Sequence, residues 1–207
     1  MNPLKLYYHP FSRAADVVWM LEELELPYEL CFVDITQGDQ KKPEFLRLNP
    51  MGKLPVIQDG SAVVSEKTAI GMYLADKYSL GTLAPALDTP LRASYLRWCL
   101  FSPSVVEPAA MAHAAGWEYR AGSAGWGTWD SVMSSIEAAL STGPYVLGEA
   151  FSMADAVFGG TLRYMVRFRM MQPTPLITEY IQTLDQRPAR KRADAVNDRE
   201  SAKLGTS

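Results

Sequence analysis

Two short apolar runs, Leu54-Pro55-Val56-Ile57 and Ala62-Val63-Val64, meet across Asp59-Gly60 and lead directly into a helical pattern. An Asp-Gly pair between apolar runs is a strong hairpin signal, because a tight two-residue turn needs positive φ. From Glu66 the helix follows through Ile70, Tyr73, Leu74 and Lys77. Upstream, the aromatic-rich run Leu4 to Tyr8 stops at Pro10, as a buried strand ending in a loop would. Ser12 is a good N-cap, Asp16 sits in the first turn, and Val17, Met20, Leu21 and Leu24 recur at helical spacing before Pro27. Tyr28 to Ile35 reads as a second strand, and the polar residues Thr36 to Pro43 as a loop or an irregular helix. The order is strand, helix, strand, loop, hairpin, helix: an α/β layout with one parallel crossover and one antiparallel pair.

Beyond a linker at 80–89, containing Gly81 and opening the run Pro85 to Pro90, the strand signals stop and the chain reads as all-α. Leu91, Tyr95, Trp98 and Cys99 form one helix face, and Trp129, Val132, Met133, Ile136 and Leu140 another before Gly143-Pro144. Ser152 followed by Asp155 is a variant of the capping box, and its helix is expected to run to about Gln172, before Pro173. Leu176, Ile177, Tyr180, Ile181 and Leu184 make a last helix, and Ala121 to Gly127 a loop. At 207 residues, two domains are expected, an α/β one over 1–79 and a helical one over 90–207.

The formal charge is -3, and the basic residues form no interior stripe that would track a phosphate backbone, so nucleic acid is not an expected partner. The one dense basic run, Arg187 to Arg192, reads as a solvated helix face without a function. No apolar segment reaches the roughly 20 residues of a membrane span, and the first residues lack a signal-peptide pattern, so a cytoplasmic protein without membrane contact is expected. Cys31 and Cys99 lie far apart and outside any C-x-x-C, and the two histidines, His9 and His113, complete no ligand set, so neither a disulfide framework nor a metal site is expected.

Four segments then carry a resemblance: LYYHPFSRAADVVWMLEELELPYEL, NPMGKLPVI, SEKTAIGMYLADKY and the capping box FSMAD, in that order. Together they resemble the cytosolic glutathione transferases, especially bacterial and theta-like members, over about residues 4–190. The resemblance implies a thioredoxin-like N-terminal domain that binds glutathione, an all-α C-terminal domain, and a homodimer. It also implies a cis Leu54-Pro55 bond, with the backbone of Leu54 pairing the cysteinyl segment of the tripeptide as if adding a strand. Glu66 would meet the γ-glutamyl ammonium, and N–H groups at the following helix start its carboxylate. Where the family usually has Glu-Ser, this chain has Glu66-Lys67, so Lys67 either supplies a charge for that carboxylate or points into solvent. Gln40 and Lys53 fall where the family contacts the glycyl end, although solvated surface residues fit both positions nearly as well.

The implied chemistry is the making of a thiolate. A free thiol, with pKa about 8.5, is only a few per cent ionised at neutral pH, and lowering it by two units corresponds to about 2.7 kcal/mol. Three hydrogen-bond donors compete for that task. Ser12 can donate to sulfur or only cap its helix; His9, at the position of the nucleophilic cysteine of glutaredoxin-like relatives, can donate, act as base, or only pack; Tyr8 can donate or belong to the core. The reading favours Ser12, then His9. The absence of cysteine from His9-Pro10-Phe11-Ser12 leaves glutathione, as co-substrate, to be the nucleophile. The electrophile is expected over Phe11 toward the first helices of the second half, where Trp98, Phe101, Ser102, His113 and Trp117 could line an apolar pocket, each of them also a plausible core residue. The leading expectation is a glutathione S-transferase acting in detoxification. Alternatives keep the glutathione site but run dehalogenation, isomerisation, ether cleavage or peroxide reduction, or bind glutathione or a protein partner without catalysis.

Overall fold

The computed structural model describes residues 3–205; Met1, Asn2, Thr206 and Ser207, at the outer ends of the two expected domains, lie outside the described residues. The chain forms two compact units, one comprising residues up to Leu74 together with those from Arg187 onward, the other running from Ala75 to Gln186.

The first unit is built on a four-stranded sheet in the order β2-β1-β3-β4. Strand β1 (Leu4–Tyr8) runs parallel to β2 (Tyr28–Phe32), joined by helix α1 (Ala14–Glu23). It is antiparallel to β3 (Val56–Asp59), which pairs in turn with β4 (Ala62–Ser65). The hairpin turn has Gly60 at φ 62, the conformation for which the Asp-Gly signal argued. Leu6 and Ile57 from the sheet, and Val17, Trp19, Met20 and Leu21 from α1, are fully buried between the layers. The polar stretch after β2 is an irregular helix: a 3-10 turn over Asp39–Lys41 and the short α2 (Pro43–Leu46). Strand β2 ends three residues before Ile35, because the Asp34 carboxylate accepts from the N–H and O–H of Thr36 and the N–H of Gln37, turning the chain off the sheet.

Helix α9 (Pro188–Leu204) completes this unit and corrects the reading of the basic run. Arg187 to Arg192 is only in part a solvated face: Lys191 and Arg192 are exposed, but the run is tied to α1. Arg187 forks onto Glu23 of α1 at 2.6 and 2.7 Å, Arg192 binds Glu22, and Arg190 is only 2% exposed. The acidic residues of α1 explain the placement, since each stands opposite a cation of α9 or its cap residue Arg187. Residues from Arg187 on were counted with the helical half in sequence, whereas in space they group with the sheet.

The second unit is helical. Helix α4 (Leu91–Phe101) passes through a π-turn over Ser102–Val106 into α5 (Glu107–Ala114). Pro103 explains the wide turn: it has no N–H to donate and cannot continue an α-helical ladder undisturbed. Thr128 caps α6 (Trp129–Leu140) by accepting from the N–H of Ser131. At the start of α7 (Met153–Arg167) Asp155, with no exposed surface, accepts from Ser152 and Val146 N–H groups and the Tyr180 hydroxyl. Burial nevertheless pushes its carboxyl pKa up. Helix α7 ends five residues before Gln172. Arg169 takes a left-handed φ of 57, and the N–H groups of Arg169 and Met170 return to the carbonyls of Val166 and Met165, a helix stop usually marked by glycine. Helix α8 (Pro175–Asp185) closes the unit.

Candidate functional site

Sheet register gathers the site at one end of the first unit. Tyr7 stands opposite Val56, and Val56 opposite Ser65, so the end of β1, the residues before β3 and those after β4 come side by side. Helix α3 (Lys67–Tyr78) starts from the same end. The Leu54-Pro55 bond is cis. Among the described residues the N–H and C=O of Leu54 take part in no recorded hydrogen bond, so an extended peptide can pair with them.

Glu66 is exposed and has a φ of 69, in the left-handed region where a residue with a Cβ is strained. The first helical bond of α3 runs from the Ile70 N–H to the Glu66 carbonyl, so the N–H groups of residues 67–69 precede the ladder at the helix's positive end. Lys67 does not point into solvent. It is 6% exposed, and its Nζ lies 3.4 Å from the Asp16 carboxylate. A lysine so placed is held by α1 instead of reaching into water.

The three thiol-donor candidates differ in what already occupies them. The Tyr8 hydroxyl is buried and donates to Asn197 Oδ1 at 2.6 Å, and burial drives its pKa far above that of an ordinary phenol. Ser12 Oγ is half-buried, accepts from the Ala14 N–H and donates to the His9 carbonyl at 2.8 Å. A hydroxyl has one proton and turns freely, so this bond can be exchanged for one to sulfur. His9 Nδ1 accepts from the Phe11 N–H at 3.2 Å, which leaves the proton of the neutral ring on Nε2. Burial lowers the His9 pKa against the opposing pull of Asp34, so the neutral form is favoured.

Gln40, in the 3-10 turn, donates to the Ile35 carbonyl, and its Oε1 is buried without a partner. Gly52 packs so closely on this turn that a Cβ there would lie 2.7 Å from the Gln40 carbonyl oxygen. Lys53, next along, is exposed. These two residues are thus brought together at the end of the sheet that also holds Leu54.

The residues expected around an electrophile belong to both units. Phe11 is 64% exposed and its ring lies 5.6 Å from that of His9. In the second unit Trp98 is buried between Phe101 and Phe158, with the Arg97 guanidinium 4.1 Å over its ring. Ser102 is fully buried with an unpartnered Oγ at the start of the π-turn. His113 is exposed and stacks on Trp129 at 4.4 Å, while Trp117 lies exposed beyond α5. Along the chain His113 follows Trp98 across the π-turn, near the end of α5.

Neither cysteine suits a nucleophile: burial pushes the Cys99 thiol up to about 12 and raises that of Cys31 as well. Among the described residues no group of His, Cys, Asp or Glu could hold a metal ion, and no helix is long and apolar enough to cross a membrane. Sequence reasoning missed Asp16, Arg190 and Asn197, which stand behind Lys67 and Tyr8. Opposed charges on α1 and in Arg187 to Arg192 were the available signal.

A thioredoxin-like sheet joined to a helical unit, with a peptide-pairing backbone beside a helix start, defines a class of glutathione-binding folds. Residues 2–76 match the glutathione S-transferase N-terminal domain family and residues 109–192 the C-terminal domain family, and the chain belongs to the glutathione transferases. The glutathione S-transferase hmp2 of Hypomyces subiculosus is 49% identical over 86 residues, 41% of this chain and 40% of that protein, so the chain spans less than half of this relative. Glutathione transferase URE2P8 of Phanerochaete chrysosporium, solved with oxidized glutathione, is 25% identical with a TM-score of 0.78, covering 98% of both chains. A glutathione transferase of Burkholderia graminis, solved with two glutathione molecules per subunit, is 26% identical with a TM-score of 0.76, covering 93% of this chain and 87% of that one.

Proposed function

We propose that this protein is a glutathione S-transferase that activates the glutathione thiol for attack on an apolar electrophile. The observation that carries the reading is the convergence at one sheet end of the unpaired Leu54 backbone, the start of α3 behind Glu66, and the loop from His9 to Ser12. In this reading Leu54 pairs with the cysteinyl residue, Glu66 receives the γ-glutamyl ammonium, and the N–H groups opening α3 receive its carboxylate. Gln40 and Lys53 meet the glycyl end.

Ser12 turns its O–H from the His9 carbonyl to the sulfur. Exchanging a neutral acceptor for an anion strengthens the bond. The thiol proton leaves to solvent, and the thiolate forms a bond to an electrophilic carbon while a leaving group departs with its electron pair, or adds to an activated double bond. Phe11, exposed beside His9, offers apolar surface to that electrophile. A cytoplasmic homodimer with a role in detoxification belongs to the same proposal, supported by membership of the family.

The relatives solved with oxidized glutathione and with two glutathione molecules per subunit support a second reading, in which the electrophile is a disulfide sulfur. The thiolate then forms a new S–S bond and releases the other half as a thiolate. The test of the first reading is a pH titration of bound glutathione, read by the ultraviolet absorbance of its thiolate. A thiol pKa below the free value supports activation; an unshifted pKa or absent binding sinks it. Turnover of a disulfide with none of alkylating substrates would favour the second reading.

A further inference from the structure

The buried charges behind the start of α3 stand in a row. Lys67 Nζ lies 3.4 Å from Asp16 Oδ2, and Asp16 Oδ1 lies 3.7 Å from Arg190 Nη1. Arg190 gives its Nε and Nη2 to Asp194, and its guanidinium stands 5.1 Å from the centre of the Trp19 ring. Lys67, Asp16 and Arg190 are 6%, 9% and 2% exposed. Formally the three carry one net positive charge, which the partly exposed Asp194 offsets from the far side of Arg190.

Two successive residues break local rules here. Glu66 is left-handed without being glycine, and Lys67 places a cation at the positive end of a helix, where the macrodipole disfavours it. Breaks of this kind persist where surrounding structure over-determines them, and they gather at functional sites. The over-determination in this case is Asp16, fixed between two cations.

We infer that Asp16 and Arg190 are positioning residues for the glutathione site. They hold Lys67, and with it the first turn of α3, so that the ammonium and the opening N–H groups act together on the γ-glutamyl carboxylate. With Arg190 in place Asp16 divides its charge between two cations, and Lys67 keeps a positive field toward the helix start. Without Arg190, Asp16 neutralises Lys67 alone. The inference rests on the glutathione reading above and adds residues from a different helix to it.

The test compares two ligands on the full chain by calorimetric titration: glutathione, and glutathione carrying an amide in place of the γ-glutamyl α-carboxylate. Arg190→Met is expected to weaken glutathione by about tenfold, the size of one lost charge-assisted contact, and the amide by less than about twofold. Arg190→Lys, which keeps the cation, recovers most of the loss. In a Lys67→Gln background, Arg190→Met adds no further selective loss, because the two act as one unit. Should Arg190→Met fail to fold, Arg190→Gln keeps a donor toward Asp16 and repeats the comparison. Equal weakening of both ligands, or no weakening of glutathione, overturns the positioning role, since a helix that merely packs affects both alike. Wild-type protein that binds neither ligand overturns the glutathione reading itself, a result separable from unselective loss in the variants.

Discussion

Ser12 Oγ stands between an N–H that it accepts from and a carbonyl that it donates to, and in the proposed function it is the donor to the thiolate. Ser12→Ala removes that donor. The expected result is a ten- to hundredfold loss of kcat/KM, and a bound thiol pKa that returns toward about 8.5, read by thiolate absorbance. His9→Ala tests the second candidate on the same assay. His9 also makes a pH prediction. Its folded pKa is lowered by burial, so as pH falls through about 6.5 the unfolded chain takes up a proton that the folded one resists. Stability is full above that value and declines below it, and thermal melts of His9→Gln across the same range should show a flatter dependence. A decline equally steep in the variant would count against His9 as the group responsible. At this scale the sequence showed residue types and hid their partners. The helix start was legible near Ser12, but the N-cap itself is Arg13, and Ser12, one position earlier, accepts from the Ala14 N–H. The tie of Lys67 to Asp16 was not legible, because it joins two helices 51 residues apart.

Helices α7 and α8 meet at Gly159, where an added Cβ would collide with Leu184 Cδ1 and lie 3.3 Å from the Tyr180 ring. Gly159→Ala should therefore destabilise the protein by about 1–3 kcal/mol, measured by urea unfolding, because both neighbours are themselves buried. At the start of α7, Asp155→Ala strands the Val146 N–H and the Tyr180 hydroxyl, and a loss of about 3 kcal/mol or more is expected from the same measurement. Helix starts were readable here: Ser152 with Asp155 announced α7. Helix ends were less so, since the stop at Arg169 uses a left-handed arginine where sequence gives no glycine to see. Pro103 widened α4 into a π-turn without breaking it, because the helix could absorb the missing donor by lengthening one loop of its ladder.

Across the whole molecule, the α/β-then-helical order was legible from hairpin and helix periodicity, and the four-segment resemblance gave the family. What sequence concealed was the return of the last helix to the sheet, because a charged, weakly amphipathic segment looks solvated until its partners are known. Contacts such as Arg187 to Glu23 and Tyr8 to Asn197 span 164 and 189 positions. Deleting residues from Pro188 onward should strip hydrogen-exchange protection from α1 and the sheet while α4 to α7 retain theirs; uniform loss would deny that α9 serves the first unit. During synthesis the same arrangement imposes an order of completion. At about 5–20 residues per second, a ribosome that has made Leu74 needs on the order of ten seconds to reach Arg187. For that interval the nascent sheet waits without the helix that covers Trp19 and receives the Tyr8 hydroxyl, a window in which a chaperone or a protease meets the amino-terminal half unfinished.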